Sequence, residues 1–126
     1  VKVSDKHFAT FKAACSKWLA LLNLGDWQVY FQKKPMRDYF AETSWNLKGR
    51  VATITLNANW NSSLRALTND TLGESALHEC LHLCMAELRG LATARYITEV
   101  EVEEREEATV VRVQHAILGY PSWRKP

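Results

Sequence analysis

The chain is short of cysteine, of net charge and of long apolar runs, and each shortage removes a class of protein. Only Cys15, Cys80 and Cys84 are present. An odd count with no paired spacing makes no disulfide framework, which points to a reducing compartment and a cytoplasmic protein. The formal net charge is only +2, so the charge balance demands no nucleic-acid partner. No apolar stretch approaches the roughly 18 residues that a membrane span needs. No signal peptide is visible and no repeat recurs, so neither a membrane nor a repeat architecture is expected. What remains is 126 residues, 47% hydrophobic and 24% charged. That is the balance of one globular domain covering residues 1–126. Charge is unevenly spread. Residues 1–50 hold nine Lys/Arg against four Asp/Glu, and residues 99–107 hold six glutamates and one arginine.

Hydrophobic spacing predicts the elements. Phe8, Phe11, Cys15, Trp18, Leu19 and Leu22 recur at helical intervals, so residues 5–22 read as a helix ended by Asn23 and Gly25. Residues 27–31, WQVYF, alternate as a strand before Pro35 breaks the pattern. A second strand is predicted over 39–46. After the Lys48-Gly49 turn a third covers 50–57, with Ala52, Ile54 and Leu56 on one face. Residues 57–63 read as loop. Thr71-Leu72-Gly73-Glu74 has the form of a capping box, which predicts a helix over about 71–89 stopped by Gly90. A last helix is predicted over 98–118, stopped by Gly119 and Pro121. Helix, strands, helix, helix is an α+β order, expected to hold a small antiparallel sheet.

The chemistry concentrates in His78-Glu79-Cys80-Leu81-His82. Residues four apart share one face of a helix, so both imidazoles can reach one cation. Imidazole nitrogen suits zinc. A carboxylate one step round, Glu79, can take a proton from an attacking water and later deliver it to a leaving amine. Shuffling this composition yields H-E-x-x-H roughly once per hundred sequences, so context carries the argument. Here the motif lies inside a capped helix, with Leu77, Leu81, Met85 and Leu88 expected as a core face beside the histidines. Cys80 points away from His78 and, with Cys84, reads as a small core residue.

A zinc site needs a further protein donor. On a helical wheel at about 100° per residue, Val110, Val111, Val113, Ile117 and Leu118 centre near about 10°, with Glu103 at about 0° and Glu107 at about 40°. A glutamate inside an apolar stripe calls for a cause such as a metal. Glu107 lies nearer the middle of the helix and is the expected third ligand, with Glu103 second. Glu99, Glu101, Glu104 and Glu106 read as a solvated first turn that suits the helix dipole. His115 reads as a surface residue, and His7, in the first helix, has no visible role.

His78-Glu79-x-x-His82 followed by a glutamate on a later helix resembles the gluzincin type of zincin metallopeptidase. The short chain is similar to the compact minigluzincins and to small zincin-like proteins of phages and prophages. Trp27-Gln28-Val29-Tyr30-Phe31, residues 50–57 with Trp60, Leu77–Leu83, and Glu107 with Val110 and Val113 carry the resemblance over residues 27–113. It implies a zincin-like fold, Zn2+ held by His78, His82 and Glu107, and Glu79 as general base. It also implies that strand 50–57 borders a cleft for a protein or peptide substrate. Tyr96, His115 and Tyr120 stay open as the group that steadies the oxyanion. The competing reading is a non-catalytic zinc-containing module of the same fold, in which tryptophans in loop or tail, Trp60 and Trp123, meet a partner protein. A nucleic-acid binder is the weakest reading, because basic and aromatic residues interleave sparsely. The sequence leaves the oligomeric state undetermined.

Overall fold

The computed structural model describes residues 1–119; Tyr120, Pro121 and Trp123 lie outside the described residues. The elements are α1 (Asp5–Leu21), β1 (Gln28–Lys34), β2 (Ala41–Asn46), β3 (Val51–Asn57), α2 (Asn69–Cys84), α3 (Ala86–Ala92) and α4 (Glu99–Leu118). The described residues form four helices, one more than the hydrophobic spacing predicts, and a three-stranded sheet, which together make the expected α+β fold. No described helix is long and apolar enough to cross a membrane.

The sheet is mixed rather than antiparallel. Its order is β1-β3-β2, with β1 parallel and β2 antiparallel to β3. The most apolar strand takes the centre, where both edges are paired. Ala52, Ile54 and Leu56 of β3 are buried, and so are Thr55 and Asn57 on its other face. Residues 35–40 therefore carry the chain from one edge, past β3, to the other. Register sets Val29, Phe31, Ala41, Thr43 and Trp45 on the same face as Ala52, Ile54 and Leu56. That face meets the helices, where Phe11 and Cys15 of α1 and Leu72, Ala76, Cys80 and Leu83 of α2 are buried. Trp60 is buried too, and its indole N–H donates to the Arg65 carbonyl at 2.8 Å. It is core, not the loop tryptophan that a partner could reach.

The start of α2 also differs from expectation. The N-cap is Thr68, in extended backbone at φ −133°. Its hydroxyl accepts from the Thr71 amide at 3.1 Å, and the Thr71 hydroxyl accepts from the Thr68 amide at 2.9 Å. Glu74, expected to bond back to Thr71, is instead paired with Arg65. The helix then breaks at Met85 (φ −91°, ψ −4°) and resumes as α3. Gly90 does not stop it but lies inside α3. A Cβ there would stand 2.8 Å from Leu47 Cδ2, so the bare backbone lets α3 rest against the β2–β3 turn.

Arg50, at φ 51° in that turn, ties the elements together. Its guanidinium hydrogen-bonds Glu87 of α3, and Nη1 lies 3.0 Å from Asp26 as an ion pair without a directed hydrogen bond. Glu87 also meets Arg105 of α4 at 3.5 Å. Burial works against the Glu87 charge, but the hydrogen bond and charge of Arg50, with Arg105 and Arg112, prevail and hold its carboxyl below the ordinary value. Arg112 of α4 donates to the Asn23 carbonyl at 2.8 Å, beyond the end of α1. Helix α4 is otherwise lightly held, with no buried residue.

Candidate metal and peptide site

Helical spacing does bring His78 and His82 together. Their ring centroids lie 4.9 Å apart, edge to face, on the exposed side of α2. The core side of this helix is Leu72, Ala76, Cys80, Leu83 and Cys84. The four residues expected as its core face behave otherwise: Leu81 and Met85 are exposed, and Leu77 and Leu88 are half-buried. Leu72 and Leu83 share the buried side with the small residues Ala76 and Cys80, where α2 packs against α1, while Leu81 and Met85 turn outward. The Cys80 thiol lies 3.6 Å from the Cys15 carbonyl, far round the helix from the histidines. All three cysteines are free and buried. The side-chain hydrogen bond with Cys80, and then burial, push the Cys15 thiol far up, and burial pushes Cys84 up to about 11. Cys15 and Cys84 are therefore protonated packing residues rather than thiolate ligands, and Cys80 is buried on the side of α2 away from the histidines.

Glu79 sits between the exposed histidines and the core. It is 5% exposed and hydrogen-bonded to Thr43 Oγ1 at 2.7 Å. Two cavities meet at His78 and Glu79. One, of about 430 Å³, is also walled by Asp38, Phe40, Arg65 and Glu74. The other, of about 490 Å³, is walled by Thr43, Trp45, His82 and Arg89. Tyr39 and Ala41 belong to both.

The strand alongside this groove is β2, not residues 50–57 as the resemblance implied. Strand β3 is central and both its edges are paired, whereas β2 is an edge strand packed against α2. Asn57 sets the loop that leads into β2. Its amide N–H groups donate to the Met36 and Tyr39 carbonyls at 3.0 and 2.7 Å, and its Oδ1 accepts from the Met36 and Asn59 amides. Thr43, Trp45, Tyr39 and Arg89 were not anticipated as site residues. The usable signal was alternation along 41–45, which puts Thr43 and Trp45 on one face.

Glu107 and Glu103 are both exposed. Helix α4 turns Ala108, Thr109 and Arg112 toward Trp27, Leu83 and Cys84, the side of α2 away from the histidines. Among the described residues no group of three or more His, Cys, Asp or Glu side chains is gathered as a metal would need. Of the apolar stripe on α4, Val111 and Val113 are half-buried, while Val110, Ile117 and Leu118 are exposed. His115 is half-buried on that helix, and His7 completes the α1 cap with Ser4. Tyr96 is exposed. The donor set around α2 is thus two imidazoles with a carboxylate beside them. It suits zinc in kind and lacks one protein donor of the three that catalytic sites use. Comparison with protein-family profiles, with curated proteins and with solved structures gives no match.

Proposed function

We propose that the chain is a zinc-dependent peptidase of the zincin type, a hydrolase of compact gluzincin character acting on protein or peptide. The observation that carries this reading is the buried Glu79 carboxylate, held beside two exposed histidines on one helix and opening onto a groove along an edge strand. His78 and His82 would hold the ion. Zinc, when bound, supplies a Lewis acid that polarises a peptide carbonyl and makes water more acidic. Glu79 takes the proton from the attacking water and returns it to the leaving amine. The edge of β2 can align an extended substrate by backbone hydrogen bonds. Low-dielectric walls around Glu79 strengthen each of these interactions.

The sequence offers Glu107 as third donor. For it to serve, α4 must present its outward face to the histidines, a docking different from the one described. The same observation favours a second reading, in which the chain keeps the metal-binding helix as a non-catalytic binding module.

Elemental analysis of the purified protein and of His82→Ala and Glu107→Ala tests the site. About one zinc per chain, lost in His82→Ala, is expected. Loss in Glu107→Ala as well would place α4 against the histidines. Digestion of a peptide library by wild type and not by Glu79→Gln separates peptidase from binding module. A protein that takes up no zinc ends both readings.

A further inference from the structure

The groove beside the histidines is electrically lopsided. At the end walled by Asp38 and Glu74 the one guanidinium, Arg65, is already paired with Glu74. At the other end Arg89 is exposed, and no ion pair joins it to a carboxylate among the described residues. Its Cζ lies 5.2 Å from the centroid of the Trp45 ring. A guanidinium resting over an aromatic ring keeps its in-plane N–H donors for another acceptor. Glu42 also borders this cavity, but it alternates with Thr43 along β2 and its side chain leaves the opposite face of the sheet. Glu79 is committed to Thr43.

The position of Arg89 follows from the fold. Gly90, its neighbour, lets α3 press against Leu47, which follows β2. That close approach sets Arg89 over Trp45, in the cavity that His78 and His82 share. We propose that Arg89, seated on Trp45, is a specificity-determining residue that binds a carboxylate of the peptide lying in the groove. The carboxylate is an acidic side chain or the peptide's C-terminus. A planar guanidinium suits either through paired hydrogen bonds. The inference rests on the groove being the peptide site.

Two readouts test it. In the first, zinc-loaded protein is given peptides in which Glu, Gln or Lys is moved through each position, each made as free acid and as amide. The expected result is about a tenfold higher kcat/KM for Glu at one position, or for the free acid. Whichever it is names the source. Arg89→Ala abolishes the preference, Arg89→Lys keeps part of it, and Arg89→Glu turns it toward Lys. The second readout needs no hydrolysis. The Trp45 indole N–H resonance, assigned with Trp45→Phe, is followed in the Glu79→Gln protein and is expected to shift with the carboxylate peptide but not with its neutral twin. Hydrolysis without any charge preference overturns the subsite and leaves the peptidase reading standing. A selective indole shift without hydrolysis by the wild type keeps the subsite and removes the peptidase reading. Neither hydrolysis nor a selective shift removes both.

Discussion

Thr43 of β2 and Glu79 of α2 are joined by a 2.7 Å hydrogen bond from Oγ1 to Oε1, and the same hydroxyl lies 3.2 Å from the Glu79 carbonyl oxygen. Glu79 is the one buried acid among the described residues. A carboxylate out of water is costly unless a donor meets it, and this hydroxyl is that donor. It also fixes where the carboxylate points, toward the cavity shared with His82.

Thr43→Val keeps the shape and removes the donor. The expected cost is about 1–3 kcal/mol of stability, with a fall in kcat and little change in KM. Thr43→Ser should restore both. Urea unfolding and steady-state kinetics on a cleaved peptide read the two effects. Unchanged kcat in Thr43→Val would leave the hydroxyl with no part in positioning Glu79.

Asn57 is 4% exposed and uses both ends of its amide on the loop before β2. Asn57→Leu leaves the Met36 amide and the Met36 and Tyr39 carbonyls without these partners. A loss of about 2–4 kcal/mol is expected, read as a lower denaturation midpoint at unchanged slope. Because Tyr39 walls both cavities, peptide binding should weaken with it.

Glu87 links stability to acid. Its carboxyl is held below the ordinary value of 4.5 by Arg50 and its neighbours, after burial has pushed the other way. A group depressed by folding contributes stability that is fully present above the unfolded-state value and is lost as pH falls through the folded-state value. Wild type should therefore lose stability below about pH 4.5 more steeply than Glu87→Gln does. Thermal melts of both proteins between about pH 6 and pH 3 measure this. Parallel curves would show that Glu87 carries none of the acid dependence.

The start of α2 can be decided by two substitutions. Thr68→Ala removes the observed cap and should cost about 1 kcal/mol. Glu74→Ala removes only a pair with Arg65, in which the glutamate side chain is 64% exposed, and should cost little. The reverse order would return the cap to Thr71 and Glu74.

By itself the sequence determined what lies within one element. The four-residue interval of His78 and His82 puts both rings on one helical face wherever that helix docks. Alternation in residues 51–56 likewise sets Ala52, Ile54 and Leu56 on one side before any partner is known. Only the tertiary structure decided which strand pairs with which, and so that β2 rather than β3 forms the edge along the groove. It also decided that Leu81 and Met85 face outward while Ala76, Cys80 and Cys84 face in. Apolar residues recur at helical spacing on more than one face of α2, and only its docking against α1 selects the face that is buried. The same holds for Glu107. Its place in an apolar stripe is a property of α4, but the side that α4 presents to α2 is set by Arg105 and Arg112 finding Glu87 and Asn23. Periodicity comes from backbone geometry inside one segment. Edge, face and docking come from contacts between residues far apart in the chain, which no spacing along it encodes.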